Sequence, residues 1–263
     1  MKEKDISSFI KKNRCVFYYS IAYFVCYAAY LGYYLLEDGL FTNDGYSYLF
    51  ILDSADQVSS IKIDESDSFP PTFLIITYYI KSILNLKAYH AAVIYSLTCG
   101  AMIPVLGFTI IRKLTRQTSC AILYSLLALF NPAYRGVICN FLRDSGSIML
   151  NHLSILFFIL YLFENKKRYY VLSISFSVFS VGFRYENLEL TVFLIIAGTA
   201  NLIYSLYKKP GTRVRAVMSF ASFTVFSVFI GGYALYLLNR ETEFFSPTHI
   251  SQLVGYYRSM MLM

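Results

Sequence analysis

Charged residues are scarce in this chain. Asp, Glu, Lys and Arg make up 15% of its 263 residues, whereas 57% are hydrophobic. A soluble domain of this length carries about 25% charged residues, so the composition argues against that class. Segments of alternating polarity, as in a β-barrel, are also lacking, and the chain contains several apolar runs of about 20 residues, enough for a helix to cross a bilayer. We therefore predict an all-α integral membrane protein.

Residues that bind metals or form disulfides are also few. The five cysteines and three histidines are scattered, with no CxxC pair and no His at ligand spacing. This distribution indicates neither a zinc site nor a disulfide framework, and we assign no residue as a metal ligand. The net charge of +7 comes largely from short basic clusters between apolar runs, which is typical of loops that anchor spans rather than of a nucleic-acid-binding face.

The basic clusters predict the topology. Four of them hold 15 of the 23 Lys and Arg residues, and the positive-inside rule places them in the cytoplasm. We therefore predict one membrane domain, residues 1–263, in the cytoplasmic (inner) membrane, with seven spans, the N-terminus inside and the C-terminus outside. The clusters are Lys2 to Arg14, Arg112/Lys113/Arg116, Lys166/Lys167/Arg168 and Lys208/Lys209/Arg213/Arg215. The predicted spans are 15–36, 89–111, 118–131, 143–163, 169–183, 188–207 and 214–238.

A long external loop, residues 37–88, follows the first predicted span. Between Glu37 and Asp67 it carries eight of the sixteen acidic residues and one lysine. A further apolar run at 70–85 opens with two prolines, contains Lys81 and is short, so we expect a helix that lies at the outer interface or dips into the membrane and returns. Counting this run as a span instead would give eight crossings, and the basic clusters downstream of it would then break the positive-inside rule.

Ionisable residues recur at the outer ends of the predicted spans. Asp44, Asp53 and Asp56 stand among apolar residues in NDGYSYLFILDSADQ, and two later segments, LRDSGSIML and FRYENLEL, each combine an arginine with an acid. Charged side chains that face inward at such positions usually belong to a site. We expect these segments to converge, although they are distant in the chain.

The order of these segments resembles the N-terminal membrane module of the GT-C glycosyltransferases, which include protein O-mannosyltransferases and aminoarabinose transferases. In that family the first span leads to an external acidic motif, which NDGYSYLFILDSA matches, and the loop ends in Pro-Pro before an aromatic helix, as in FPPTFLIITYYI. LRDSGSIML and FRYENLEL are similar to its Arg-Asp and Arg-x-Glu segments. The resemblance covers about residues 10–210, and Gly45 replaces the motif's second acid. The chain is shorter than most members, so three interpretations stay open: a fragment, a truncated copy or a minimal form.

The resemblance implies an inverting transfer of a sugar from a polyprenyl-phosphate donor to a hydroxyl of a glycan, lipid or protein acceptor on the external face. It implies Asp44 as general base and Arg184 and Arg143 as ligands of the donor phosphate. We assign no cofactor, and the need for a divalent cation stays an open question. We expect membrane lipids as further partners and no binding of nucleic acid. The surrounding site would include Asp144, Glu186, Asp53, Asp56 and Tyr48.

Each of these residues also has a structural interpretation. Asp44 suits a helix N-cap, Arg143 and Asp144 suit a pair at a helix start, and Arg184 with Glu186 suits an ion pair. Two other functional classes stay open as well. One is an envelope polysaccharide polymerase or acyltransferase; the other is a non-catalytic transporter subunit, which would carry its ionisable residues near span centres.

Overall fold

The computed structural model describes residues 14–37, 43–61, 71–139, 143–208 and 213–239. Helices dominate these ranges, which contain no β-strand. The helices are α1 (Arg14–Glu37), α2 (Asn43–Ser54), α3 (Thr72–Ile83), α4 (Ala88–Thr115), α5 (Thr118–Phe130), α6 (Pro132–Cys139), α7 (Arg143–Glu164), α8 (Lys167–Ser180), α9 (Asn187–Lys208) and α10 (Arg213–Asn239).

Within the described residues, four helical segments are long and apolar enough to cross a membrane. A fifth results if α5 and α6, which are bent by 62° where they meet, form one broken span. The chain is therefore all-helical in its described part and fits a helical membrane protein. The four segments are Ala88–Thr115, Arg143–Glu164, Asn187–Tyr207 and Val217–Asn239.

The helices follow the apolar runs closely, with differences at their ends. α4 continues beyond the predicted 111 through Arg112 and Lys113, because Lys and Arg are good helix formers, and it stops at Arg116, which has a φ of 59°. α7 ends at Glu164, and the next residue, Asn165, has a φ of 51°, a left-handed conformation that Asn tolerates well. α8 has 14 residues, about 21 Å at 1.5 Å per residue, which is shorter than a full span.

Basic residues gather at one end of the helix bundle, which we call the basic end. Lys113 Nζ, at the end of α4, lies 3.5 Å from Glu164 Oε1, at the end of α7. Lys166 Nζ lies 2.8 Å from Glu164 Oε2. Lys167, at the start of α8, donates to the hydroxyl of Ser219 in α10. The ends of α4 and α7 and the beginnings of α8 and α10 therefore lie together.

α1 packs antiparallel against α4. The rings of Tyr23 and Phe108 have centroids 5.3 Å apart. Nearer the end of α1, Leu31 lies so close to Gly100 that a Cβ on this glycine would be 2.7 Å from Leu31 Cδ1. Tyr27, between these contacts, donates to the carbonyl oxygen of Ser125 in α5. The beginning of α1 thus points toward the basic end.

Small residues allow α8 to pack closely between α7 and α10. Ser154 of α7 donates to the carbonyl oxygen of Ser173 (2.7 Å), and Ser175 donates to that of Ser227 in α10 (3.0 Å). A Cβ on Gly231 would lie 2.6 Å from the carbonyl oxygen of Ser175. Close approach of small residues and hydrogen bonds between helices are what hold helices together in lipid, where burial of apolar surface contributes little.

The segment predicted as an external loop contains α2 and α3, which pack against each other. Lys81 of α3 donates to the carbonyl oxygens of Leu52 (2.6 Å) and Ala55 (3.3 Å). These carbonyl groups lie at the end of α2, where a cation is favourable because helix carbonyls there lack partners. The hydroxyl of Tyr78 donates to the carbonyl oxygen of Asp56 (2.7 Å). The orientation of α2 is therefore fixed by α3.

The first turn of α3 is enclosed by protein. Thr72, Phe73, Leu74 and Ile75 are all fully buried, and Asn239 Nδ2, at the end of α10, donates to Thr72 Oγ1 (3.1 Å). The opposite end of α3 is at the surface, since the side chain of its last residue is largely exposed. α3 thus begins inside the bundle, beside the turn that joins α8 to α9.

Candidate functional site

Arg184 lies in the turn between α8 and α9 and pairs with two carboxylates. Its Nη1 donates to Asp144, in the first turn of α7, and its Nε lies 3.5 Å from Glu186 Oε2. Asp144 is 40 residues away in sequence. The ion pair therefore fastens the turn after α8 to the beginning of α7, at the end of the bundle opposite the basic end.

The cluster around Arg184 is only partly exposed. Side-chain exposure is 39% for Arg184, 21% for Asp144 and 42% for Glu186. Burial alone would lower the pKa of the Arg184 guanidinium, but the charges of Asp144 and Glu186 raise this pKa above its ordinary value. Arg184 is thus a fixed positive charge, and its Nη2 is the nitrogen that these two ion pairs do not use.

Arg143 and Tyr185 complete this group of side chains. Burial raises the pKa of Tyr185, and the positive charge of Arg143 acts in the opposite direction. Arg143 begins α7 and directly precedes Asp144, and Tyr185 directly follows Arg184. This group of side chains contains two guanidinium groups and two carboxylates, so its net charge is close to zero. We call it the Arg184 cluster; it consists of Arg143, Asp144, Arg184, Tyr185 and Glu186.

A buried amide holds the turn that carries the Arg184 cluster. Asn187 Nδ2 donates to the carbonyl oxygen of Ser180 (2.7 Å) and to Ser147 Oγ (2.8 Å). Asn187 Oδ1 accepts from Asn151 Nδ2 (2.8 Å). Asn187 therefore links α7, the end of α8 and the beginning of α9, and networks of this kind in a low-dielectric interior fix geometry strongly.

The sequence analysis does not predict the role of Asn187 in holding this turn. The sequence does contain a signal for a buried polar partner of α7, because Ser147, Asn151 and Ser154 recur every three or four residues and so share one face of this helix. His152, the neighbour of Asn151, does not join this network: its Nδ1 lies 2.8 Å from the carbonyl oxygen of Ile148 in the same helix.

Asp44 lies in the first turn of α2, where its side chain is exposed. Tyr48, one helical turn later, is only 6% exposed, and its ring meets that of Phe73 edge to face at 4.8 Å. The negative charge of Asp44 suits the positive end of the helix dipole. α2 thus buries the aromatic side chain and presents the carboxylate to solvent.

A row of buried aromatic rings connects α2 with the Arg184 cluster. The Phe73 and Tyr95 centroids are 6.4 Å apart. Tyr95 and Phe183 both contact Gly146, because a Cβ there would lie 2.3 Å from the Tyr95 hydroxyl and 2.5 Å from Phe183 Cε1. Phe183 directly precedes Arg184. The helix carrying Asp44 and the turn carrying Arg184 therefore pack on one aromatic core, which consists of Tyr48, Phe73, Tyr95 and Phe183.

Asp53 and Asp56 are exposed and lie at the other end of α2 from Asp44. Asp53 is nine residues after Asp44, or about 13 Å along a helix. The structure therefore separates these two carboxylates from Asp44, although the sequence places all three in one loop. Among the described residues, no group of three or more His, Cys, Asp or Glu side chains is arranged to hold a metal ion.

No family model, curated protein or solved structure matches this chain in the comparisons.

Proposed function

We propose that this protein is a membrane glycosyltransferase of the GT-C type with seven transmembrane helices, in which α1, α5 with α6, and α8 complete the spans. It would transfer a sugar from a polyprenyl-phosphate donor to an acceptor hydroxyl at the external face, with inversion. The observation that carries the proposal is the Arg184 cluster, which sets two arginines at the end of the helix bundle, on the same aromatic core as the helix that presents Asp44.

In this proposal the arginines stabilise the leaving group. Negative charge grows on the lipid phosphate as the glycosidic bond breaks, and guanidinium groups in a partly dry site stabilise such charge well. Asp144 holds Arg184 in place. Glu186 is the more distant and more exposed of the two carboxylates, so a donor phosphate would take its position while the contact with Asp144 remains.

Asp44 would act as the general base. The acceptor hydroxyl gives its proton to the Asp44 carboxylate while the hydroxyl oxygen attacks the anomeric carbon, and the polyprenyl phosphate leaves from the opposite face. A single base and a good leaving group suffice for inversion. The exposed position of Asp44 at the beginning of α2 suits an acceptor that arrives from water.

The test is sugar transfer from a panel of polyprenyl-phosphate sugars in membranes that contain equal amounts of wild type, Asp44→Asn or Glu189→Gln. Glu189→Gln is the control, because it makes the same chemical change at an exposed carboxylate of α9. Loss of a general base lowers the rate by roughly 10² to 10⁴, so we expect Asp44→Asn to lose at least about 10² and the control to keep its activity. Transfer that survives Asp44→Asn would refute this role of Asp44.

A non-catalytic membrane subunit is the second candidate. It is favoured by the observation that Arg184 already pairs with two carboxylates, as in an ion pair that serves only to fix a turn. If this function is correct, no donor in the panel is used, and Glu186→Gln changes stability without changing the binding of any polyprenyl phosphate. In the glycosyltransferase, Glu186→Gln removes the competitor of the phosphate and tightens donor binding.

A further inference from the structure

The basic end carries far more positive than negative charge. Six basic side chains stand there, and Glu164 is the acid that the structure pairs with two of them. They come from the end of α4 and from the beginning of α8, which the contacts of Glu164 bring together. We call this group the basic rim; it consists of Arg112, Lys113, Arg116, Lys166, Lys167 and Arg168.

Aromatic rings orient several of these cations. Lys166 Nζ and Arg168 Cζ lie 5.7 Å and 5.1 Å from the centroid of the Tyr169 ring. Lys167 Nζ lies 4.9 Å from the Phe223 centroid on α10. Such cation–π contacts stabilise a side chain in one position. These three cations are exposed at the surface, and the aromatic rings hold their charges beside the helices.

Large apolar side chains lie directly next to the rim and are exposed. Leu114 follows Lys113, Leu162 and Phe163 precede Glu164, and all three have about half of their surface accessible. Leu172, one turn beyond Arg168 on α8, is also exposed. The surface therefore changes from cationic to apolar within one helical turn, which matches a molecule with an anionic head and a hydrocarbon tail.

We propose that the basic rim binds the headgroup phosphate of an anionic phospholipid, whose acyl chains cover the exposed apolar side chains below it. Basic groups between membrane helices commonly bind such headgroups. A free phosphate would use the cations but leave the apolar side chains uncovered, so the lipid fits the whole surface. This site is at the opposite end of the bundle from the Arg184 cluster, and it does not depend on the function proposed above.

Native mass spectrometry of the full chain in detergent tests this site, with phosphatidylglycerol and phosphatidylcholine as probes. Each basic residue contributes roughly 1 kcal/mol to the attraction of an anionic lipid, about fivefold in affinity. We therefore expect wild type to prefer phosphatidylglycerol, Arg168→Gln to weaken its binding about fivefold, and Lys166→Gln/Arg168→Gln to weaken it about thirtyfold. Phosphatidylcholine binding should change little.

Lys87→Gln is the matched control, because it removes the same charge from an exposed residue at the beginning of α4, far from the rim. The proposal is overturned if Lys87→Gln weakens phosphatidylglycerol binding as much as Arg168→Gln does, or if wild type binds both lipids equally. It is also overturned if inorganic phosphate or glycerol phosphate displaces the lipid at equal concentration. Arg168→Gln keeps the test valid if the double variant misfolds, since the hydrogen bond and the ring contact of Arg168 are both with the neighbouring Tyr169.

Discussion

At the scale of single residues, Arg184 connects the stability of this protein with its proposed activity. Its charge is permanent, and its guanidinium joins the beginning of α7 to the turn after α8. A side chain that binds a phosphate needs this kind of fixed position, because the geometry of a site is set by the groups that support its ligands. Asp144 is thus a positioning residue for Arg184 and does not itself contact the donor in the proposed mechanism.

A double-mutant cycle of Arg184→Gln and Asp144→Asn measures this coupling. The pair is partly exposed, which reduces its strength, so we expect an interaction energy of about 1 kcal/mol. The losses of unfolding free energy in the two single variants should therefore add up to about 1 kcal/mol more than the loss in the double variant. Reversible unfolding in mixed micelles gives these energies, and Arg168→Gln, an exposed arginine without an ion pair in the described part of the chain, serves as the control. Strictly additive losses would show that the pair contributes nothing.

The sequence predicts where the charged residues of this site lie but only part of how they pair. Helix-end positions for Arg143, Asp144 and Arg184 follow from the apolar runs on either side. The pair between Arg184 and Asp144 does not follow, because it depends on how α7 packs against α8. As structural interpretations, the sequence offers a pair of the neighbours Arg143 and Asp144 and an ion pair of Arg184 with Glu186, and the structure contains the second.

At the scale of helices, the bundle depends on small residues where two backbones approach. α10 contains an informative pair, Gly231 and Gly232. A Cβ on Gly231 would lie 2.6 Å from the Ser175 carbonyl oxygen and 3.1 Å from its Cα, both backbone atoms of α8, whereas a Cβ on Gly232 would have no neighbour within 4 Å. The two positions are adjacent in sequence, yet they differ completely in what surrounds them.

We expect Gly231→Ala to destabilise the protein and Gly232→Ala to leave it unchanged or stabilise it. The first change pushes α8 and α10 apart, which costs about 1 to 3 kcal/mol by analogy with overpacked cores. The second gains up to about 1 kcal/mol from the better helix propensity of Ala. Thermal unfolding of both variants in the same detergent measures the difference. Equal melting temperatures would contradict the close contact of α8 with α10.

Helix boundaries in this chain follow from local chemistry more readily than helix contacts do. The break between α5 and α6 has a signal in Asn131 followed by Pro132: proline suits the first turn of a new helix, and Asn131 Oδ1 accepts from the backbone N–H of Ala133 (2.9 Å). The apolar pattern alone predicts only one run, 118–131. The bend of 62° depends on how α6 then packs against α4, where Tyr134 donates to the carbonyl oxygen of Gly100.

At the scale of the whole molecule, the two ends of the bundle differ in chemistry. One end carries the basic rim, and the other carries the Arg184 cluster and the turn to which α3 and α10 attach. α4 and α7 both end at the basic rim, so they run in the same direction and the chain between them returns across the bundle. The number of crossings therefore decides which residues share a side of the membrane. The seven-span proposal therefore places residues 59 and 85 on one side of the membrane and residues 117 and 165 on the other.

Labelling of single cysteines in intact cells tests this arrangement. Ser59→Cys, Asn85→Cys, Gln117→Cys and Asn165→Cys each change an exposed residue, in a background whose five native cysteines are replaced by serine or alanine. We expect a membrane-impermeant maleimide to label the first two without permeabilisation and the last two only after it, because the positive-inside rule keeps the basic rim in the cytoplasm. Label on Gln117→Cys and Asn85→Cys from the same side would mean that α4 does not cross. Asp44 and the Arg184 cluster could then no longer be assigned to the external face. This result would refute the seven-span topology and, with it, the proposed transfer from a donor at that face.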